Sequence, residues 1–220
     1  MEVNYCPTDN TNMCALCEYF NSNKKKSNCN FSSLYNSLFE EHRSSKLRLL
    51  EFDTSDKTDN VDVGGSLKVW EKFFINSEIF GVYKNKDVMF SSDKIKSFHC
   101  ENITEECIGE LWQNQELEDN FDIMIDSGCI KNIFEKVAFL NFSFHKLNHK
   151  GFYIMEILDR NNLEVVMNEL RLLQEACPNN IYFIELVKNL SDEEHIVFII
   201  QKQSETTPDE VEESLVKLNI

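Results

Sequence analysis

The sequence predicts an α/β fold: a Rossmann-like, seven-stranded, mostly parallel sheet with an antiparallel last strand and helices on both faces. The run at 121–126 is mostly apolar and leads into an acid, a serine and a glycine. This pattern is typical of a buried parallel strand that opens into a loop. Strand-like and helix-like runs alternate along the chain, which favours right-handed crossovers between parallel strands. Only residues 188–194 separate the last two strand-like runs, so we expect a hairpin and an antiparallel final strand.

Seven runs rich in β-branched, aromatic and other apolar residues are expected to be strands. The first, KLRLLEF, has Glu51 near its end, and the last, HIVFIIQ, is almost continuously apolar. The expected strands span 46–52, 78–83, 95–98, 121–126, 151–158, 181–187 and 195–201.

Five runs have apolar residues at helical spacing. The first has Ser32 or Ser33 available as its N-cap, the second opens at Gly64 and Gly65, and the last is stopped before Pro178. The expected helices span 31–43, 64–74, 105–115, 132–147 and 163–176.

The length of 220 residues suits one domain with a small appendage. We expect a Cys-containing N-terminal arm at 1–30, an α/β domain at 31–204 and an acidic tail at 205–220, with a short helix at 208–220. No apolar run is long enough to cross a membrane, and the first residues lack the pattern of a secretory signal. We therefore expect cytoplasmic localisation.

The formal net charge is −16, which disfavours nucleic-acid binding because phosphate repels such a surface. The single basic run, Lys24-Lys25-Lys26, is expected to be a solvated loop. The acidic stretch 53–63 lacks the ligand spacing of a calcium loop and is also expected to be solvated. His145 and His149 are four residues apart near an expected helix end, where they could bind zinc; the helix dipole is the favoured explanation.

Four cysteines lie in the first 30 residues. Cys14 and Cys17 have the C-x-x-C spacing that lets two thiolates hold one tetrahedral ion, and Cys6 and Cys29 could complete four ligands. The outer spacings match no standard zinc module. Two alternatives follow, a zinc site or free thiols on an N-terminal arm, and we favour the thiols.

Four stretches carry a resemblance to a known family. They are LLEFD (49–53) with GGSLKVW (64–70), IFGVYKN (79–85), FDIMIDSGCI (121–130) and LNHKGFYIMEIL (147–158). In this order they are similar to motifs of the class I S-adenosylmethionine-dependent methyltransferases, closest to the macrocin, mycinamicin and rhamnosyl-type sugar O-methyltransferases. The resemblance leaves residues 1–30 uncovered.

The resemblance implies where a cofactor would bind. Cofactor-binding positions fall on Glu51, Gly64, Gly65, Tyr83 and Asp126. Where the family has an acid for the ribose hydroxyls, this chain has Tyr83, which cannot supply a carboxylate.

The resemblance also implies a metal site and a general base. The family's three metal ligands correspond to Ser127, Glu156 and Ile157, so Glu156 is the one carboxylate retained and a residual magnesium ligand. The family's general-base histidine corresponds to Ile130, which cannot accept a proton. We name no catalytic residue.

Two functions follow from these matches and departures. The favoured hypothesis is a catalytically degenerate methyltransferase-fold protein that acts by binding a protein partner, without a cofactor. The alternative is an active S-adenosylmethionine-dependent O-methyltransferase acting on a sugar or similar hydroxyl.

Overall fold

The computed structural model describes residues 10–53, 62–127, 133–157, 163–191 and 193–203. Among these described residues, seven strands form one sheet in the order β3-β2-β1-β4-β5-β7-β6. In this spatial order, each pair of adjacent strands from β3 through β2, β1 and β4 to β5 is parallel. The strand β7 is antiparallel to both β5 and β6. The predicted fold class is therefore confirmed. The strands are β1 Arg48–Asp53, β2 Glu78–Tyr83, β3 Ile95–His99, β4 Phe121–Asp126, β5 Leu147–Ile157, β6 Ile181–Lys188 and β7 Glu194–Gln201.

In the described part of the chain, six helices cover the two faces of the sheet. They are α1 Asn12–Tyr19, α2 Phe31–Phe39, α3 Gly65–Phe73, α4 Glu105–Trp112, α5 Ile133–Ser143 and α6 Leu163–Ala176. Side chains alternate between the faces along each strand. In β1, Leu49 packs in the cluster with α1–α3, whereas Leu50 and Phe52 pack in the cluster with α4–α6. We call these two sides the α1–α3 layer and the α4–α6 layer.

The turn into β5 differs from the sequence prediction. The helix predicted at 132–147 ends at Ser143, a 3₁₀ turn covers Phe144–Lys146, and β5 begins at Leu147. The pairing of β5 with β4 shifts register near Lys150, whose φ is +64°. His145 and His149 therefore lie on a 3₁₀ turn and a strand, and the expectation that both lie near one helix end is wrong.

The N-terminal region is more ordered than the sequence indicates. Thr11 caps α1, a helix that the sequence did not predict, and α1 packs against α2 and α3. Lys24 and Lys26 are buried, with 0% and 9% exposure. The solvated-loop prediction for this lysine run is therefore wrong, because Lys24 and Lys26 are buried and the Lys24 side chain contacts Glu51, Ser127 and Glu156 from distant parts of the chain.

Two expectations fall mostly or wholly outside the described residues, namely the acidic loop at 53–63 and the helix at 208–220. The domain boundaries at residues 30 and 204 stay predictions. Within the described part of the chain, no helix is both long and apolar enough to pass through a bilayer.

Candidate active site

Three polar side chains meet at the carboxyl ends of the central strands, the edge where α/β sheets bind ligands. Glu51 lies on β1, Ser127 follows β4 and Glu156 lies near the end of β5. The backbone N–H of Ser127 donates to the carbonyl of Phe52 at 3.0 Å, which fixes the end of β4 beside β1. The Ser127 hydroxyl donates to Glu156 Oε2 at 3.3 Å.

A lysine from the N-terminal loop joins the two carboxylates. Lys24 Nζ lies 2.9 Å from Glu51 Oε1, 2.8 Å from Glu156 Oε1 and 3.3 Å from Ser127 Oγ. Lys24, Glu51 and Glu156 are all 0% exposed. Burying two carboxylates is costly unless charge and hydrogen bonds compensate, and Lys24 provides the positive charge.

Aromatic donors complete the surroundings of the acid pair. Trp70 on α3 donates its indole N–H to Glu51 Oε2 at 2.7 Å, and Tyr35 on α2 donates its hydroxyl to Glu156 Oε1 at 2.6 Å. Burial acts to lower the pKa of Lys24, but Glu156 and Glu51 outweigh it and raise that pKa above its usual range. Lys24 is therefore charged at neutral pH. Burial and the neighbouring Glu156 also raise the pKa of Tyr35, so the phenol stays protonated.

Asp126 faces the opposite side of the sheet from this group. Its carboxylate contacts Lys136 of α5, with Oδ1 2.7 Å from Nζ, and both side chains are buried. Lys136 Nζ also donates to the carbonyl of Ser127 at 2.9 Å. Burial raises the pKa of Asp126 to about 6, against the opposing effect of Lys136. Asp126 and Glu51 were expected to share one site, but the structure holds them in separate ion pairs.

The glycine pair that opens α3 is packed against the chain itself. Gly64 has a φ of +68°, and the ring of Phe90 occupies the space that a Cβ on Gly64 would need. A Cβ on Gly65 would lie 2.8 Å from the carbonyl oxygen of Phe20. Tyr83 is 1% exposed and packs in the α1–α3 layer. These three candidate cofactor residues thus all have structural roles, and their cofactor roles stay predictions.

The N-terminal cysteines give no support for zinc. Cys14 and Cys17 are buried, and Cys29 is partly buried. Cys14 Sγ lies 3.2 Å from Ser32 Oγ. Among the described residues no group of three or more His, Cys, Asp or Glu could hold a metal ion. Cys6 lies outside the described residues.

The metal positions implied by the resemblance are divided between the two layers. Glu156 is paired with Lys24 beside Ser127, whereas Ile157 is 2% exposed and packs in the α4–α6 layer. Ile130, at the position of the family's base, lies outside the described residues.

Sequence reasoning missed four residues of this region. Lys24 was expected in a solvated loop, Tyr35 and Trp70 fall within expected helices but were not assigned to the site, and Lys136 was not singled out. Two acids at the ends of central strands require compensation by a positive charge or by donors. That requirement was the available signal, but it does not say which of the 22 basic residues meets it.

Comparison with known proteins supports the same fold. No protein-family model matches the chain. The 8-demethyl-8-(2-methoxy-alpha-L-rhamnosyl)-tetracenomycin-C 3'-O-methyltransferase of Streptomyces olivaceus is 30% identical over 128 residues, which is 58% of this chain and 32% of the relative.

Two solved structures illustrate the likeness. The MycE methyltransferase from the mycinamycin biosynthetic pathway, in complex with Mg and SAH, has a TM-score of 0.67 at 18% identity, over 90% of this chain and 56% of that one. An rRNA methylase from Streptococcus thermophilus has a TM-score of 0.55 at 9% identity, over 78% of this chain and 96% of that one.

The chain therefore has the fold of the class I S-adenosylmethionine-dependent methyltransferases, and the resemblance to that superfamily is confirmed. The curated relative is an O-methyltransferase of the rhamnosyl type. The chain spans about a third of that relative and little more than half of MycE.

Proposed function

We propose that the chain is an S-adenosylmethionine-dependent O-methyltransferase, or the donor-binding part of one, that acts on a hydroxyl of a sugar or a similar acceptor. The observation that carries this proposal is the 30% identity with a rhamnosyl 3'-O-methyltransferase. The strand order and the likeness to a methyltransferase solved with SAH add support from the fold. The donor would bind at the carboxyl ends of β1, β2 and β4, where α/β sheets hold their ligands.

A second candidate function is favoured by the packing of the site. Lys24 and Trp70 engage Glu51, and Phe90 covers Gly64, so residues expected to contact a cofactor contact the chain itself. This arrangement suits a methyltransferase-fold protein without turnover, whose role is to bind a protein partner. Such a role needs neither a donor nor a catalytic base.

Calorimetry with S-adenosylmethionine separates the two candidates. For the methyltransferase we expect saturable one-site binding by S-adenosylmethionine and S-adenosylhomocysteine, weakened by Glu51→Gln, which keeps the size of the side chain. Glu78→Gln is the matched control, because Glu78 is exposed and begins β2, at the end of the strand away from the proposed donor site. Circular dichroism must show that both variants fold.

The absence of heat with either ligand would contradict the methyltransferase proposal and support the binding protein. If the donor binds, transfer of a labelled methyl group to simple rhamnosides tests the sugar-hydroxyl acceptor. Binding without transfer to any hydroxyl acceptor would favour the inactive candidate.

A further inference from the structure

The acid pair at the carboxyl ends of β1 and β5 has the composition of an incomplete metal site. Glu51 and Glu156 present carboxylate oxygens toward one point, and the Ser127 hydroxyl lies beside them. Hard divalent cations such as Mg²⁺ are held by one or two carboxylates together with water. A cation at this point would also neutralise two charges that are completely buried.

The point between these oxygens is occupied by the chain's own ammonium group. Lys24 Nζ lies within 3.3 Å of an oxygen from each of Glu51, Glu156 and Ser127, so it is in ion-pair or hydrogen-bond contact with all three. A magnesium ion requires oxygens at about 2.0–2.1 Å in an octahedral shell. The ammonium and a hydrated ion cannot share this space.

The charge arithmetic also fits a single internal cation. Two carboxylates and one ammonium leave one net negative charge, which the donors from Trp70 and Tyr35 stabilise through hydrogen bonds to the carboxylates. The site therefore does not fit a divalent ion while Lys24 is in place.

The loop that carries Lys24 is fastened at several points. The carbonyl of Lys24 accepts from the backbone N–H of Ser32 at 3.1 Å, which ties it to the start of α2. The side-chain amide of Asn30 donates to the backbone carbonyl of Lys188 at 2.7 Å. The side-chain amide of Asn189 donates to the backbone carbonyl of Asn28, also at 2.7 Å. These bonds attach the loop to the turn between β6 and β7. The ammonium is thus held in place by the fold.

We propose that the Lys24 ammonium is a built-in cation that takes the place of a divalent metal ion between Glu51 and Glu156. The domain then keeps its acid pair without magnesium. This inference does not depend on methyl transfer, because its consequences appear in metal binding and thermal stability.

The first test measures Mn²⁺ binding to the full chain by electron paramagnetic resonance, with Glu156→Gln as the comparison. We expect no site that requires Glu156; weak binding that is equal in both proteins comes from other acids and agrees with the proposal. A Mn²⁺ site in the unmodified protein that is lost in Glu156→Gln would overturn it.

The second test removes the ammonium group from between the two carboxylates. Lys24→Ala leaves both carboxylates and room for an ion with water, whereas Lys24→Met fills the space with an apolar chain. We expect 10 mM Mg²⁺ or Mn²⁺ to raise the melting temperature of Lys24→Ala by roughly 3–6 °C, if the ion concentration is about ten times the dissociation constant. Lys24→Met and the unmodified protein should show no shift beyond that of a salt of matched ionic strength.

A folded Lys24→Ala variant without a metal-dependent shift would overturn the proposal. If that variant does not fold, the Mn²⁺ measurement on the unmodified protein and Glu156→Gln still decides the question.

Discussion

Replacing Lys24 by methionine should destabilise the protein far more than the same change one residue along. Lys24→Met keeps the length of the side chain but removes the charge between Glu51 and Glu156, which are both 0% exposed. Lys25 belongs to the same basic run but is only partly buried, and its ammonium donates to the side chain of Asn21. The two variants therefore compare the same substitution at a buried lysine and at a partly buried lysine of one basic run.

The expected magnitude follows from the buried contacts. Removing one partner of a buried ion pair typically costs about 3–5 kcal/mol, because the remaining charge stays buried. Lys24 serves two carboxylates at 2.8 and 2.9 Å, although the donors from Trp70 and Tyr35 remain after its loss. We therefore expect a loss within that range for Lys24→Met, and about 0–1 kcal/mol for Lys25→Met.

Urea unfolding followed by circular dichroism measures this difference. With a slope of roughly 2–3 kcal/mol per molar urea for a domain of this size, the midpoint should fall by roughly 1–2.5 M in Lys24→Met and by much less in Lys25→Met. Equal and small shifts of the urea midpoint in the two variants would refute the buried ion pair and would support a solvated loop at the lysine run.

Three further predictions concern other parts of the molecule. Asp126→Asn should lower the free energy of unfolding, measured in urea, by about 3–5 kcal/mol, because Lys136 then stays buried beside a neutral partner. The double variant with Lys136→Met should recover part of this lost stability. Burial lowers the pKa of His145 from 6.5 to about 4, so its stabilising effect is complete above about pH 6.5 and is lost as the pH falls through 4; His145→Gln should flatten the fall in stability over this range. Gly65→Ala places a Cβ 2.8 Å from a backbone oxygen and should cost about 1–3 kcal/mol, whereas Gly109→Ala meets nothing within 4 Å in α4 and should gain about 0.5–1 kcal/mol in thermal or urea unfolding.

Local sequence patterns were sufficient to predict the strands of the sheet and most of the helices. The apolar runs at 78–83, 121–126 and 163–176 were predicted with the bounds that the structure shows. The short link before β7 was sufficient to predict an antiparallel last strand. These features depend on neighbouring residues, so periodicity and length determine them.

The candidate site depended on distant contacts that local patterns do not contain. Lys24 lies next to two other lysines in the sequence and far from Glu156, so polarity alone predicted a solvated loop. The helix α1 was not predicted, because residues 1–30 were expected to be an arm with free thiols, whereas Cys14 and Cys17 are buried. Glu51 and Asp126 were grouped by motif, but they face opposite layers of the sheet.

Calorimetric titration of S-adenosylmethionine into the full chain, in EDTA and then in Mg²⁺, tests most directly the claim of a methyltransferase site with its own cation. We predict one-site binding in EDTA with an affinity that Mg²⁺ does not change. Binding that requires Mg²⁺, or no binding under either condition, would contradict the account.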